Sequence, residues 1–547
     1  MDGRLIIGNE RVETAENLVS ENPSTLEPVG KVCLASDALC DRAVAAAKAA
    51  FPGWRWLAPR EKRAILKRAE NILARRAGEA ARLIAMEKGS PYAESLAVEV
   101  FGALQSLNYY AENQGRLLRP KRAGHHAPLF FNKSGTFHFH PLGPALIISP
   151  WNFPFLIPFC DTLSALTTGN TVVLRPSTAT PFTALLLGEI FVEAGLPPGV
   201  LNIVPCRVPQ AERMIVSLDV HTVMFTGSVG IGKRVMELCS RNLTNLALEL
   251  GGKDPMVVLE DADLERAARG AVWTAFMNCG QSCGSIERVY VDRRVVRAFT
   301  ERVVELAKKV RVGNPLDPDV DMGPMTTAGQ LEVVLEHIED ARAKGARILC
   351  GGGRVLSLPG HFVEPTVLDG VDHTMKVMTE ETFGPTLPIM PFDSPEEAAA
   401  LANDSLFGLT ASVWTRDREK AAWFAERLEA GSVTVNDHMY SFVEPRAIWG
   451  GIKQTGMGRS HGPYGLHELV NIKYVGMDFF PKKAQTWWFP YDRSLTGIME
   501  KAIALFHGRS RRARAGAALG LLKEWPRIKA TAPLMNYVRA LPRIFKK

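Results

Sequence analysis

The stretch ALIISPWNFPFLIPF, residues 145–159, begins a run in which short apolar strands alternate with helical patterns. ALIIS at 145–149 is followed by TVVLR at 171–175, VLNIV at 200–204, TVMFT at 222–226 and NLALEL at 245–250, with helical runs between them. Continuous apolar strands separated by helices pair in parallel and are covered on both faces. The run therefore predicts a doubly wound α/β nucleotide-binding domain. The same alternation continues from Gly251 to about Ile452, through the strands PMVVL and ERVYV and helical patterns over 261–276 and 294–310, and predicts a second α/β domain. Before the first strand, residues 5–35 read as short strands around Asn22-Pro23. Residues 36–116 read as helices broken at Pro52-Gly53, Pro59 and Gly89-Ser90-Pro91, with Asp37 and Ser90 as N-caps. Nothing in that helical stretch points to catalysis.

Composition narrows the class. The chain has 547 residues, enough for three or four domain-sized units, with 46% hydrophobic and 22% charged residues. Its net charge of +7 is unevenly placed: residues 481–547 hold 15 Lys+Arg against 3 Asp+Glu, which leaves the rest of the chain at −5. The basic character thus belongs to a tail, and nucleic-acid binding by the body is not expected. The eight cysteines show no CxxC and no Cys/His grouping at zinc spacing, which argues against structural zinc and a disulfide framework. The opening LIIGNERV lacks the basic and apolar regions of a secretory signal. Prolines 144, 150, 154 and 158 interrupt the best candidate for a spanning helix. A chain of the reducing cytosol, without a membrane span, is the expectation.

Two glycine-containing turns stand out. Gly227-Ser228-Val229-Gly230-Ile231-Gly232 follows the strand ending at Thr226 and opens a helix, where backbone N–H groups face an anion or the nicotinamide side of a cofactor. In Asn278-Cys279-Gly280-Gln281-Ser282-Cys283-Gly284 a cysteine is held on a turn beside a helix, a setting suited to a thiolate and then an oxyanion. With PWNFP (150–154), FTGS (225–228), LELGGK (248–253) and ETFGP (381–385), in this order and spacing, NCGQSC (278–283) resembles the NAD(P)-dependent aldehyde dehydrogenase superfamily over about residues 5–480.

The resemblance implies two parallel-sheet α/β domains: a cofactor-binding domain from 1–122 and 142–251, and a catalytic domain from 252–452. It also implies oligomerisation strands at 123–141 and 467–480, hence a homodimer or homotetramer. Cys283 is implied as nucleophile, Asn152 as the oxyanion-holding amide and Glu249 as the base that activates water to hydrolyse a thioester. Glu249 within LALELGG also reads as a buried carboxyl with a raised pKa. Its presence favours release of a free acid over acyl transfer to coenzyme A; a non-catalytic binding protein on the same fold is the alternative from another class. The implied cofactor residues are Ser149, Trp151, Arg175, Ser177, Thr178, Gly227, Ser228, Gly232, Glu381 and Phe383, with no metal. Where many relatives have Lys-Pro-Ser-Glu, this chain has Arg175-Pro176-Ser177-Thr178. Arg175 keeps the cation and Thr178 removes a carboxylate that would repel a 2′-phosphate, so NAD and NADP are both expected.

Phe153, Phe155, Ile157, Phe159, Tyr440 and Phe442 mark an expected apolar substrate tunnel, suited to medium- or long-chain aliphatic or aromatic aldehydes. His138 and His140 share one face of a strand-like stretch, LFFNKSGTFHFHP, and read as a surface pair. In the tail, Leu495, Ile498, Met499, Ala502, Ile503 and Phe506 follow helical spacing and Arg509, Arg511, Arg512 and Arg514 come next. That pattern predicts a helical extension packed on a partner subunit or a peripheral contact with a membrane surface, with nucleic acid the least favoured alternative.

Overall fold

The structure is a computed structural model; it describes residues 2–124, 130, 133–479, 481, 483, 485, 487–489, 491–526 and 528. The predicted strand residues Leu129, Phe131, Asn132 and Phe480, and the tail from 529 onward, lie outside the described residues. The chain divides into two units, Met1–Leu117 with Pro141–Val470, and Leu118–His140 with Asn471–Lys547.

Two sheets organise the first unit. The eight-stranded one runs in the order Glu10–Val12, Leu5–Ile7, Leu201–Ile203, Thr171–Arg175, Pro144–Ile148, Thr222–Thr226, Asn245–Glu249, Gly456–Met457. Its five middle strands are parallel. They are the five strands read from the sequence, shifted by at most one residue at either end, because each is a buried apolar run ended by a polar or turn residue. The chain lays down Pro144–Ile148, builds outward on one side, then returns to add Thr222–Thr226 on the other, so the strand order reverses beside Ile148. Open α/β sheets bind ligands at the carboxyl ends of the strands at such a reversal.

The second sheet has the order Arg347–Cys350, Thr366–Asp369, Thr386–Phe392, Ile286–Asp292, Asp254–Val258, Thr410–Trp414, Ser432–Val435, with only the first pair antiparallel. Its covering helices include Leu264–Phe276 and Val296–Ala307, both within the patterned stretches. The helix Leu156–Thr168 of the first sheet is buried at every position.

The helical stretch departs from its sequence reading at one break. Helix Asp37–Trp56 runs straight through Pro52-Gly53. Proline removes one intrahelical donor and crowds the carbonyl four residues earlier. Here Lys48 and Pro52 are both exposed, so that carbonyl faces water, while the buried Trp54 anchors the last turn in the core. The cap is Ser36, with Asp37 in the first turn. Ser90 caps no helix; its hydroxyl donates to Glu94 Oε1 at 2.7 Å. Gly89, at φ +95°, ends helix Ala77–Lys88 as expected of a left-handed position.

In the second unit, strands Val470–Asp478, Lys133–Pro141 and Lys121–Ala123 form a three-stranded sheet. Tyr474 packs against Phe137 with ring centroids 5.7 Å apart and occupies the space a Cβ on Gly135 would need. The rings of His138 and His140 stack at 6.0 Å. Helices Arg493–His507 and Arg511–Lys523 form a hairpin that buries Leu495, Ile498, Ala502 and Ala517. Asp492 and Ser510 cap them by accepting the N–H groups of Leu495 and Ala513. Lys501 pairs with Glu524 at 3.0 Å, its stem lying against Gly520 where a side chain would collide. No helix among the described residues is long and apolar enough to cross a membrane.

Candidate active site

A cavity of about 230 Å³ opens where three parallel strands of the first sheet end. Pro150, Trp151 and Asn152 reach it from the turn after Ile148, Thr226, Gly227 and Ser228 from the next strand, and Glu249, Leu250 and Gly251 from the third. The second sheet contributes Cys283 from the turn before Ile286–Asp292, and Glu381 and Phe383 from the turn before Thr386–Phe392. Gln330 and Val333 complete the wall from helix Ala328–Ala343.

The turn carrying Cys283 is unusual. After helix Leu264–Phe276, Asn278, Cys279 and Gly280 are all left-handed, at φ 53°, 54° and 72°. For residues other than glycine this costs roughly 1–3 kcal/mol each and persists only when the surroundings over-determine it. They do. The Asn278 N–H donates to Glu94 Oε2 at 3.0 Å, and its side-chain amide donates to the carbonyls of Asn152 and Gln281, both at 2.8 Å. Gln281 returns a bond from Nε2 to Asn278 O at 2.9 Å and accepts the Thr326 N–H at 2.8 Å. A Cβ on Gly280 would stand 2.2 Å from the Gly384 carbonyl, and one on Gly252 would stand 2.1 Å from that of Cys283. The bend separates the two cysteines: Cys279 is buried in the core, whereas Cys283 is partly accessible and lines the cavity.

Burial pushes the Cys283 thiol well above its ordinary value. The carboxyls of Glu381, Asp254 and Glu249 reinforce the rise and the Gly284 N–H opposes it. Glu249 is buried and its pKa is raised well above the carboxylate range, first by desolvation and then by Asp161, with Arg459 and the Ser460 hydroxyl opposing. Among the described residues neither Glu249 oxygen has a hydrogen bond of ordinary geometry. Gly450, at φ +132°, makes room for this carboxyl, since a Cβ there would approach Oε1 to 2.8 Å. Asn152 commits one amide N–H to Gln281 O at 3.1 Å and keeps the second.

Glu381 accepts the Gly252 N–H at 3.0 Å, and burial lifts its pKa to about 8. Its loop is fixed by Glu287, which accepts the N–H groups of Thr382 and Phe383 at 2.8 and 2.9 Å and pairs with the buried Lys253. Phe383 meets Trp151 edge to face at 5.5 Å. Ser228 is the N-cap position of helix Val229–Ser240 without a side-chain cap bond, leaving first-turn N–H groups facing outward.

Other residues singled out in the sequence lie off the cavity wall. Ser149 is buried and its hydroxyl has no partner among the described residues. Arg175 gives its guanidinium to the Cys206 carbonyl at 3.0 and 3.2 Å, so its charge serves the backbone locally. Ser177 accepts the Ala179 N–H at 3.2 Å, and Thr178 is partly exposed. Gly232 sits against Leu250, where a Cβ would come within 2.5 Å, and lets its helix approach the sheet. Of the predicted tunnel residues, Phe159 packs between Phe155 and Phe191 in the core, Ile157 is buried in the same helix as Phe159, Tyr440 is exposed, and Phe153 and Phe442 form one cluster with Trp449. Trp449 and Met439 close over Gly284, and Met439 also touches the Ser282 hydroxyl.

Sequence reasoning gave no role to the charged side chains of the segment 87–99. Glu99 pairs with Lys88 at 2.8 Å with both side chains fully buried, and accepts the N–H groups of Phe155 and Leu156 at 2.9 and 3.1 Å. Lys88 also lies 4.7 Å over the Phe153 ring. Glu87, its pKa lifted to about 7 by burial, accepts the N–H groups of Phe182 and Thr183 at the start of helix Pro181–Glu193.

The comparisons agree with this geometry. The profile of the aldehyde dehydrogenase family matches residues 11–475. A betaine aldehyde dehydrogenase from Cereibacter sphaeroides is 37% identical over 457 residues, 83% of this chain and 93% of its own. Among solved structures, an NADP-dependent enzyme of E. coli superposes with a TM-score of 0.84 at 34% identity, covering 87% of this chain and 98% of its own. An aldehyde dehydrogenase from Bacillus cereus, solved as its NAD+ complex, gives 0.84 at 33% identity, covering 88% and 97%. The turns that meet at the cavity, and the sheets that carry them, are those of a chain that belongs to the aldehyde dehydrogenase family.

Proposed function

We propose that this protein oxidises an apolar aldehyde to the carboxylic acid with NAD or NADP, through a thioester on Cys283. The observation that carries the reading is the meeting of Cys283, Glu249 and Asn152, from three separate segments, at one cavity. Cys283 Sγ attacks the aldehyde carbon, the carbonyl π bond becomes an oxyanion, and the thiol proton passes to the Glu249 carboxylate. The second Asn152 N–H is free to hold that oxyanion. A bound nicotinamide supplies the hydride acceptor. Glu249 then gives the thiol proton up to solvent, takes a proton from the water that adds to the thioester carbonyl, and returns it to the Cys283 sulfur as the C–S bond breaks and the acid is released. Glu249 is suited to this because its carboxyl is buried and its oxygens make no hydrogen bond of ordinary geometry among the described residues.

Several observations support a dinucleotide at the same cavity: the open helix start at Ser228, the Glu381 carboxyl and the Trp151–Phe383 pair. Thr178 carries no carboxylate to repel a 2′-phosphate, and the relatives above include one described as NADP-dependent and one solved with NAD+. The apolar substrate class rests on Met439, Trp449, Phe442 and Phe153 beside the cysteine turn. The exposed strand Val470–Asp478, with Ile472, Tyr474, Val475 and Met477 open to solvent, supports assembly into a homodimer or homotetramer.

The test is reduced-cofactor formation by the purified protein with NAD+ and with NADP+ across an aldehyde chain-length series, with Cys283→Ala as control. Activity that rises with chain length and vanishes in the variant supports the reading. No turnover with any aldehyde under either cofactor overturns it.

A further inference from the structure

The family match ends at residue 475, so the hairpin Arg493–Lys523 is an addition that the dehydrogenase reaction does not explain. We propose that this hairpin docks the protein on an anionic lipid surface.

Four residues of the second helix carry the argument. Arg512 and Leu519 are seven positions apart and Arg511 and Leu522 eleven, two and three helical turns, so the two arginines and two leucines share one side of the helix. All four are exposed, Leu519 and Leu522 at 66% and 62%. These leucines are not surplus from the hairpin's own packing, which is filled by Leu495, Ile498, Ala502 and Ala517. Among the described residues Arg509, Arg511 and Arg512 pair with no carboxylate, in contrast to Lys501, which Glu524 neutralises. Ahead of the hairpin Trp488, Phe489 and Tyr491 are also exposed.

Unpaired guanidinium groups beside exposed aliphatic and aromatic side chains match the layered chemistry of a membrane surface, with phosphate oxygens outermost and acyl chains a few ångströms below. A second copy of the same face would bring like charges together around the contact. Nucleic acid would satisfy the arginines and leave Leu519 and Leu522 in water. The two short helices lie in the interface plane, held by basic and apolar groups together.

The experiment is co-sedimentation of the full-length protein with vesicles of phosphatidylcholine alone and of phosphatidylcholine mixed with phosphatidylglycerol, at low and high salt. The triple variant Arg509→Glu/Arg511→Glu/Arg512→Glu and the double variant Leu519→Ser/Leu522→Ser are run beside it. All five positions are exposed, so both variants keep the fold, and unchanged dehydrogenase turnover and thermal midpoint report on that. The expected result is binding to the anionic vesicles only, weakened by salt, and reduced by more than about a hundredfold by the triple charge reversal, since each basic residue near such a surface contributes about a factor of five and each glutamate adds repulsion. Binding to neither vesicle overturns the proposal, as does anionic binding that the triple variant retains. A triple variant that changes only the oligomeric state, or only binding to a single-stranded oligonucleotide, assigns the hairpin to a partner subunit or to nucleic acid and equally overturns it.

Discussion

Glu94 Oε2 accepts the backbone N–H of Asn278 at 3.0 Å, tying a half-buried carboxyl of the N-terminal helical stretch to the first left-handed residue of the Cys283 turn. Ser90 holds the other oxygen. Removing this acceptor leaves a buried N–H unpaired, at a cost of about 1–3 kcal/mol, beside a backbone already in a costly conformation. Glu94→Ala is expected to lower kcat and the alkylation rate of Cys283 about tenfold, with the KM for cofactor unchanged. Glu94→Gln, which keeps an acceptor oxygen, is expected to restore both. Equal kcat in the alanine variant and the wild type would remove Glu94 from any positioning role.

Glu249→Gln preserves shape and removes the base. If Glu249 serves thioester hydrolysis, the first turnover still yields a burst of reduced cofactor while steady-state turnover drops about a hundredfold or more. Rapid-mixing absorbance separates the two phases. A variant that turns over steadily at the wild-type rate contradicts the assignment.

The raised pKa of the Cys283 thiol sets a second expectation. Because burial and three carboxyls lift it well above 9.0, the free protein holds mostly thiol at neutral pH, and the thiolate fraction grows as pH rises. Iodoacetamide modification of Cys283, followed by mass spectrometry, is expected to be slow at neutral pH and still climbing at the pH of an ordinary thiol's midpoint. A rate that levels off near neutrality contradicts this.

Thr178→Glu introduces the carboxylate that this position lacks. On the cofactor reading, its repulsion of a 2′-phosphate lowers kcat/KM with NADP+ about tenfold or more and leaves NAD+ nearly unaffected. Parallel losses with both cofactors would place residue 178 away from the adenosine ribose.

His438 offers a stability test. Its Nε2 lies 3.0 Å from the Gly284 carbonyl, and burial depresses its pKa from 6.5 to about 4. The unfolded chain therefore binds more protons between these values, so the contribution is present above the unfolded pKa and is lost as pH falls toward the folded one. Full depression corresponds to about 3 kcal/mol. Chemical unfolding of the wild type and His438→Gln should show their stabilities converging by up to that amount between neutral pH and pH 4. Parallel pH curves would mean that His438 does not titrate in this way.

The strands at 171–175 and 222–226 were legible to the residue because buried apolar runs ended by polar groups leave little choice of boundary. The convergence of Asn152, Glu249 and Cys283 was legible only through motif order, since residues up to 131 positions apart meet by sheet topology that no local pattern encodes. Lys88, Glu94 and Glu99 were not legible. Charges at helical spacing ordinarily mark a solvated face, and only tertiary structure reveals that Lys88 and Glu99 are sealed inside as a pair and that Glu99 and the half-buried Glu94 are matched to backbone donors. Phe155 and Phe159 failed in the opposite sense: their aromatic spacing fits a tunnel, yet Phe159 is packed between Phe155 and Phe191 of another helix and both are buried.

Glu87, Glu94 and Glu99 hold three different parts of the protein from one stretch that includes a single π-helical turn, Ser95–Val100. Each residue added to or removed from a helix rotates the downstream residues by about 100° and shifts them by about 1.5 Å. A one-residue indel between Glu94 and Glu99 would therefore keep one anchor and swing the other away from its donors. For anyone building chimaeras in this family, the stretch 87–100 is not a free linker: it has to travel with the turns at 150–156 and 277–283 as one cassette.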